Sequence, residues 1–317
     1  MAIKNSSVVL PVQYTTEIIK GVLGASKALA LGRRLPDMTG LQTKLNVLSN
    51  LPVAGWTKNS ALPAAETTSE IKVKPLSTLA WQGKDLYAEE ISVIIPVAEN
   101  TFEDVNDGGI AIAQTLNEQV VGAFQDVIDS TVFFGVDAPW AGFTGIVAEA
   151  TTAGKVVAWD GQEGTSFYSA VNQAMKKVEK SGFVPNAILG GPSLESAFRG
   201  SITSLGVISA EQGQIGALPR HIDLTGGFDQ SEAFAIVGDF RYLVYAFRKE
   251  MKLTILREAT LTDPTSGSVL YNLAQQGMIG FRFSMRLGVA LPNPVNRVGG
   301  SKGYPFAVIT SDTETSE

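Results

Sequence analysis

The sequence of 317 residues contains no cysteine and a single histidine, His221. Without cysteine there are no disulfide bonds, no thiol nucleophile and no thiolate metal ligands. With one histidine, any transition-metal site would have to consist almost entirely of carboxylates. We therefore expect packing and association, rather than covalent or metal cross-links, to stabilise the fold.

Charge and long apolar runs are also scarce. Charged residues make up 18% of the chain, below the typical value of about 25%, which is consistent either with a large core or with a surface that partner molecules cover. The net charge of −6 disfavours a dedicated nucleic-acid reader, which normally has a basic face. No apolar run approaches the ~20 residues of a membrane span, and Pro11 interrupts the short run near the N-terminus. We expect cytoplasmic synthesis, no signal peptide and no membrane partner.

Sequence motifs that indicate catalysis are equally rare. A Ser-His-Asp arrangement would have to use His221 with Asp223, and a histidine in a surface loop is the ordinary interpretation. Neighbouring carboxylates such as Glu89 and Glu90 point to opposite faces of a strand, which disfavours an acid/base pair. Neither glycine-rich nucleotide-binding motif occurs. We expect no catalytic residues, no cofactor and no metal site.

One stretch, from Ser69 to Val97, has a clear period-two alternation of apolar and polar residues. The alternation predicts two long β-strands, each with one buried face, and the polar residues Gln82 to Asp85 predict the turn between them. A lone two-stranded hairpin is marginal in water, so this one needs a surface to lie on. Full burial would stabilise each large apolar side chain by ~1.5–3 kcal/mol.

The next stretch predicts the longest helix of the chain. From Gly108 to Phe134 an apolar stripe recurs at three- and four-residue steps, through Leu116, Val120, Phe124, Val127 and Ile128. Asn117, Glu118, Gln125, Asp126 and Asp129 lie off that stripe, and Gly135 is expected to end the helix. A second amphipathic helix is predicted for residues 165–181, and strands are predicted to dominate from residue 233 onwards.

The order of these parts resembles a known family. The segments that carry the likeness are "PVAGWTKNSALPAAE", "AEEISVIIPVAENTFED", "FFG…APWAGFTGI", "VGDFRYLVYAFRKEMKLTI", "GFRFSMRLGVALPNPVNRV" and "YPFAVIT". Together they resemble the major capsid proteins of tailed bacteriophages, which have the Hong Kong 97-like fold, over essentially the whole chain. Two features depart from the family: Lys58-Asn59 replaces an acidic residue often found after the tryptophan, and no scaffolding segment or propeptide is expected before the N-terminal arm.

This resemblance implies an α+β fold. It would consist of an N-terminal arm, an extended β-hairpin loop (E-loop), a peripheral domain with a long spine helix, and an axial α/β domain. The implied boundaries are 1–62 for the arm and the start of the peripheral domain, 63–98 for the extended loop, 99–150 for the spine-helix region, 151–255 for the axial domain, and 256–317 for the return and closing strands with an acidic tail.

It also implies a function, namely self-assembly into an icosahedral shell of pentamers and hexamers that encloses the double-stranded DNA of a tailed phage. The chain would be made in the bacterial cytoplasm and end in the virion capsid, with separate scaffolding, portal and decoration proteins as further partners. The arm (1–40) and the hairpin would change angle between environments. Non-specific DNA contact on the inner face is expected of Arg33 and Arg34. The hairpin side chains expected to lie on a neighbouring subunit are Ile71, Val73, Leu79, Trp81, Ile91, Val93 and Ile95.

Other functions stay open at this point. An encapsulin, a bacterial compartment of the same fold that holds a cargo enzyme, is the main alternative, and a hydrolase that uses His221 is a third. Some family members cross-link their subunits through a Lys–Asn isopeptide bond, which also needs a buried acid. The candidates by position are Lys72, Lys74 or Lys84 with Asn293 or Asn296, although solvated lysines are the ordinary interpretation.

Overall fold

The computed structural model describes residues 26–54, 76–100, 112–161, 165–200, 214–215, 218–224, 226–263, 265–300 and 303–311. The described helices are α1 (Lys27–Leu31), α2 (Ile112–Phe134), α3 (Ile146–Thr152), α4 (Thr165–Lys180), α5 (Ser193–Gly200) and α6 (Leu273–Gln276). The described strands are β1 (Arg33–Arg34), β2 (Gln42–Asn50), β3 (Ala80–Tyr87), β4 (Glu89–Ala98), β5 (Val156–Trp159), β6 (Ala187–Gly190), β7 (Gln214–Ile215), β8 (Leu218–Ile222), β9 (Ala235–Gly238), β10 (Val244–Leu256), β11 (Thr260–Thr262), β12 (Val269–Asn272), β13 (Met278–Ala290) and β14 (Phe306–Ser311).

A six-stranded mixed sheet, in the order β5-β14-β9-β6-β8-β7, forms one half of the structure. Its central strands are apolar at almost every position because both of their faces are covered. Ile188 and Val237 pack against α4 and α5, whereas their neighbours Leu189 and Ile236 belong to the core that contains α2 and α3. This sheet therefore sits between two layers of helix.

A four-stranded sheet, in the order β1-β10-β13-β4, forms the other half. Its two longest strands, β10 and β13, are antiparallel, and each has 13 residues. Phe281 and Phe283 of β13 share a core with Phe124 and Ile128 of α2. The long helix thus belongs to a core that both sheets line.

The long helix confirms the sequence prediction from Ile112 to its end, but it differs from the prediction in which side chains are buried. It ends at Phe134, and Gly135 follows with a φ of +76°. A Cβ at Gly135 would collide with the carbonyl group of Thr144, so only glycine fits this turn. Val127, which was expected in the core, is exposed, whereas Gln125 and Asp129, which were expected outside it, are buried.

The predicted hairpin is wrong. Residues Gln82 to Asp85 do not form a turn but lie in the middle of β3. That strand pairs with β2, where Val47 faces Gln82, whereas β4 pairs with β13, where Val93 faces Phe283. The local turn preference of four polar residues is overridden because β2, about 40 positions earlier in the chain, provides a partner strand. The chain changes sheets at Ala88 instead.

The sheets also divide residues 237–255, a segment that by resemblance was expected to contain the central strand of the axial domain. The chain leaves the six-stranded sheet at Gly238, makes a 3-10 turn at Phe240–Tyr242, and enters the four-stranded sheet at Val244. Of the two expected closing strands, β14 lies in the six-stranded sheet and β13 lies in the four-stranded sheet. The chain therefore passes from one sheet to the other between Gly238 and Val244.

Candidate subunit interface

The most exposed apolar surface of the structure follows the start of β3. We call β2, β3 and the preceding residues 76–79 the ribbon. Leu76 is 97% exposed, Leu79 51% and Trp81 61%, whereas Leu86 at the other end of β3 is buried. Three large apolar side chains within six residues form a patch of the kind that marks an interaction site. The ribbon is therefore covered at its base and open towards its far end.

The base of the ribbon is fixed to the rest of the chain. Leu86 packs in a small core with Met38, Val244 and Ala290, among others. The backbone N–H of Val295 donates to the carbonyl of Leu48 at 3.1 Å. The small core holds the base of the ribbon, and the Val295 contact holds β2 at Leu48, which lies opposite Trp81.

Two further side-chain contacts attach the ribbon. The Arg297 guanidinium donates to the carbonyl of Pro52 at 3.1 Å, beyond the end of β2. On the other strand, the Lys84 ammonium donates to the carbonyl of Gly142 at 3.0 Å. Lys84 is thus engaged within its own chain.

Strand β4 differs from β3 in that its apolar side chains contact the core of their own chain. Ile91, Val93 and Ile95 of β4 are partly buried and pack against the core that contains α2 and β13. Their own chain partly covers them, so they do not depend on a neighbouring subunit for this cover, and their place in a subunit interface stays a prediction. The reason is the pairing of β4 with β13, which lays this face of β4 on the core. The predicted interface residues Ile71 and Val73 lie outside the described residues.

Asp129 is a buried carboxylate that sequence reasoning missed. It lies on α2 and accepts hydrogen bonds from the Ser26 hydroxyl at 2.6 Å, from Lys27 N at 2.9 Å and from Ala28 N at 3.0 Å. Burial raises its pKa to about 6, although these hydrogen bonds oppose the shift. Asp129 thereby fixes the first turn of α1, at the point where the described chain begins.

The contacts of residues 33–38 limit the expectation that residues 1–40 change angle as one arm. The β1 strand pairs with β10, and Met38 N donates to the carbonyl of Phe247 at 2.7 Å. The polypeptide is therefore tied to the core from Ser26 to Met38. The signal for this tie was weak in the sequence, because β1 is only two residues long and its partner is more than 200 residues away.

The two arginines proposed to face DNA lie on β1 and are exposed. Arg34 contacts Asp37 at 2.9 Å and lies over the ring of Phe247, at 5.1 Å from its centroid. The hydrogen bond to Asp37 raises the pKa of Arg34. Arg33 has no ion pair among the described residues, and it lines a groove of about 470 Å³ with Trp81 and Tyr242.

The carboxylate of Glu149 lies close enough to Lys84 to feel its charge. Burial raises the pKa of Glu149, and the charge of Lys84 acts in the opposite direction. Tyr304 donates from its hydroxyl to the carbonyl of Ile146 at 3.2 Å and lies 3.5 Å from the Glu149 carboxylate. A half-buried acid beside a ribbon lysine is one part of the cross-linking chemistry considered above.

The asparagines that this chemistry would need are engaged elsewhere. The Asn293 side-chain amide donates to the carbonyl of Gly303 at 2.5 Å, and the Asn296 amide donates to the carbonyl of Ser181 at 2.6 Å. The oxygen of Asn296 also accepts from the backbone of Val298 and Gly299. Lys72 and Lys74 lie outside the described residues. These contacts argue against cross-linking through either asparagine.

His221, the residue on which a hydrolase would depend, lies on β8 rather than in a surface loop. It stands opposite Leu189 in the parallel pairing with β6, and burial lowers its pKa, as does the charge of Lys27. Asp223 is buried, and its charge raises the pKa of Asp129.

In the part of the chain that the structure describes, no cluster of three metal-ligating side chains occurs. None of the described helices is long and apolar enough to span a membrane.

Comparison with known proteins identifies this architecture. The model of the phage capsid family matches residues 6–296. A solved structure from Microbacterium phage Oxtober96 is similar at 30% sequence identity and a TM-score of 0.76, with 91% of each chain covered. Structures from Mycobacterium phages Cain and Adephagia are similar at 27% and 25% identity, both with a TM-score of 0.77. The Cain match covers 91% of each chain, and the Adephagia match covers 91% of this chain and 90% of that one. No curated protein matches the sequence significantly.

These matches confirm the expected α+β fold with its long central helix, which is the Hong Kong 97-like capsid fold. They extend over nearly the whole chain. The resemblance noted in the sequence is therefore confirmed, and this chain belongs to the phage capsid family.

Proposed function

We propose that the chain is the major capsid protein of a tailed bacteriophage and that its copies assemble into a closed icosahedral shell of pentamers and hexamers around double-stranded DNA. It would be synthesised and assembled in the cytoplasm of the bacterial host. The subunit works by packing, with no turnover of substrate, no cofactor and no metal. The phage sources of the similar structures support a DNA-containing shell over an encapsulin compartment.

The exposed far end of the ribbon carries this proposal. Leu76 is almost fully exposed, and Leu79 and Trp81 leave at least half of their surface open. Such an exposed apolar strand in a free monomer is an aggregation hazard. A head-to-tail contact that closes into a ring covers the same surface on every copy. We therefore propose Leu79 and Trp81, together with Ile71 and Val73, as interface residues, and we add Leu76 to them.

The inner-face contact with DNA is proposed for Arg33 and Arg34. Arg33 is the stronger candidate, because Asp37 already compensates the charge of Arg34. With a net charge of −6, the chain does not have the basic character of a specific DNA reader. We expect this contact to be non-specific and dependent on salt. Separate scaffolding, portal and decoration proteins remain proposed partners.

Size-exclusion chromatography with light scattering, followed by negative-stain imaging, tests the shell directly. We expect closed particles, or discrete species of five and six times the 33.6 kDa subunit mass. A stable monomer at every concentration would contradict the proposal. The variant His221→Ala should assemble normally, because a shell that works by packing gives this histidine no catalytic role.

A further inference from the structure

Positive charge is concentrated where the end of α4 meets the start of β5. The last five residues of α4, 176–180, contain three lysines and one acid, Glu179. Lys155 directly precedes β5, which is the outermost strand of the six-stranded sheet. The charges of Lys177 and Lys180 both act on Lys155, so the three ammonium groups lie close together. We call these three residues the lysine cluster.

Regular secondary structure holds the lysine cluster in place. Lys155 N donates to the carbonyl of Ala150 at 2.8 Å, and the carbonyl of Lys155 accepts from Val308 N at 2.9 Å. On α4, the Lys177 ammonium donates to the carbonyl of Val156 at 2.5 Å. These contacts fix the backbone of Lys155 and the side chain of Lys177 beside the same edge of the sheet.

The charge of the lysine cluster is not compensated by ion pairs. None of its three members has an ion pair among the described residues. Burial lowers the pKa of Lys155, and the charges of Lys177 and Lys180 lower it further. Like charges that lie close together repel one another, so this arrangement costs stability. An anion bound between these ammonium groups would relieve the repulsion.

The helix itself accounts for only part of this charge. Lysines in the last turn of a helix compensate the negative end of its dipole, and Lys177 and Lys180 occupy that turn of α4. The dipole is equivalent to only ~0.5 of an elementary charge. Lys155, which lies outside the helix, adds a third positive charge. The dipole and Glu179 together therefore leave a positive surface, in a chain whose net charge is −6.

We propose that Lys155, Lys177 and Lys180 bind phosphate groups of double-stranded DNA. This inference rests on the proposed function, because that DNA is the proposed content of the shell, and it adds a site beyond Arg33 and Arg34. A lysine ammonium binds phosphate as a point charge and reads no base sequence. Duplex DNA carries one negative charge per ~1.7 Å of its axis, so more than one phosphate lies within reach of the cluster. The contact is therefore non-specific in sequence and depends on salt.

Binding of a short fluorescent DNA duplex to purified subunits, measured by fluorescence anisotropy, tests this site without assembly. The test variant combines Lys155→Gln with Lys180→Gln and leaves the hydrogen bond of Lys177 to Val156 intact. We expect the affinity at low salt to fall about tenfold. Because two phosphate contacts are lost, the slope of log K against log salt concentration should decrease by about 1.8, at about 0.9 per contact.

The matched control removes two lysines from another part of the structure. Lys249 and Lys252 lie on β10 in the four-stranded sheet, and both are exposed. The variant that combines Lys249→Gln with Lys252→Gln changes the net charge by the same amount, and it should keep the affinity within about twofold. Equal losses in the two double variants would show that binding follows net charge alone and would overturn the site. An unchanged affinity in the Lys155 and Lys180 variant would overturn it too.

Acetylation of lysines in particles distinguishes DNA from a protein as the occupant. DNA-filled and empty particles are treated with a water-soluble acetylating reagent, and mass spectrometry measures the modified fraction of each lysine. We expect Lys155 and Lys180 to react at least about threefold more slowly in filled particles, because phosphates cover them. Equal protection in both kinds of particle would indicate a protein contact, and equally fast reaction in both would indicate no occupant. Either result would overturn the DNA site and leave the shell function standing.

Failure of the shell function gives a different result. A chain that never forms particles would contradict the proposed shell. The duplex measurement on subunits would then still decide whether the lysine cluster binds DNA, because it needs no assembly.

Discussion

The consecutive strands β3 and β4 make the most informative comparison in this molecule. Both are long, both lie in the stretch for which two half-buried strands were predicted, and only Ala88 separates them. The apolar residues of β4, such as Val93, rest on the core of their own chain, whereas Trp81 near the start of β3 is largely exposed. The difference comes from the partner strand: β13 lays β4 on the core, and β2 accompanies β3 away from it.

This comparison shows what period-two alternation does and does not specify. It predicts that one face of a strand is to be buried, but it does not say which chain supplies the cover. For β4 the cover is intramolecular. For the far end of β3 we propose that it is intermolecular. The following predictions test that distinction, from the largest expected effect to the smallest.

The largest effect is expected on the covered side. Phe283 is buried in the shared core and faces Val93 across the sheet. Phe283→Ala should lower the free energy of unfolding of the subunit by about 3–5 kcal/mol, because it removes a buried ring and leaves a cavity. Urea denaturation followed by circular dichroism measures this loss. A change below ~1 kcal/mol would mean that the β4–β13 face is not the packed core described here.

The second test is the pH dependence of stability that the buried carboxylate of Asp129 causes. The folded-state pKa of Asp129, about 6, lies above its ordinary value of 3.8, so the folded chain binds the proton more tightly between these values. This group should therefore lower stability as pH rises from about 4 to 6, by on the order of 3 kcal/mol. Its destabilising effect is complete above pH 6 and is relieved below pH 4.

Urea unfolding at a series of pH values, with Asp129→Asn beside the unmodified chain, measures this contribution. The difference in stability between the two chains should change across pH 4 to 6. Asp263→Asn is the control, because Asp263 is exposed and its pKa is lowered by hydrogen bonds from Thr265 and Ser266. An Asp129→Asn variant with the same pH profile as the unmodified chain would contradict the raised pKa.

The third prediction compares the two strands directly. Ile95→Ala should lower subunit stability by about 1–3 kcal/mol, because Ile95 is partly buried in the core. Leu79→Ala should cost less than ~0.5 kcal/mol in the free subunit, since Leu79 is largely exposed. The same Leu79 variant should assemble poorly. Thermal unfolding measures the stability of the subunits, and particle yield measures their assembly. Equal losses of stability in the Ile95 and Leu79 variants would contradict the contrast between β4 and β3.

The smallest effect is expected at the border between the covered and open parts of the ribbon. Lys84→Gln weakens the exposed contact with Gly142 and should cost less than ~1 kcal/mol. It should also raise the pKa of Glu149 further, because the charge of Lys84 now lowers it. An NMR titration of labelled glutamate measures that shift. Lys44→Gln, at an exposed position of β2, should leave it unchanged.

The sequence predicted the elements that local chemistry determines. The long helix, its end at Gly135 and the helix from residue 165 all follow from apolar periodicity and glycine placement. Both amphipathic helices bury the faces that their periodicity indicated, apart from Gln125, Val127 and Asp129 on α2. The family resemblance was also sound, because it rested on the order of many weak segments.

What the sequence did not reveal depends on contacts between distant residues. The residues Gln82 to Asp85 have turn preferences, and only the pairing with β2 makes them a strand. Asp129 resembles a solvated helix residue until Ser26, 103 positions away, donates to it. The groove of about 280 Å³ between the end of α2 and the start of β4 cannot be predicted from the sequence either, because it joins Glu89, Val127 and Val136 from three separate parts of the chain.

Hydroxyl-radical footprinting of free subunits and assembled particles tests the central claim most directly. Trp81 should be oxidised readily in the free subunit and at least about fivefold more slowly in the particle, because the ribbon is then covered. Trp140 and Trp159 are buried in their own chain and should be slow in both states, which makes them internal references. Equal oxidation of Trp81 in subunits and particles would show that assembly does not cover the ribbon, and would contradict this account.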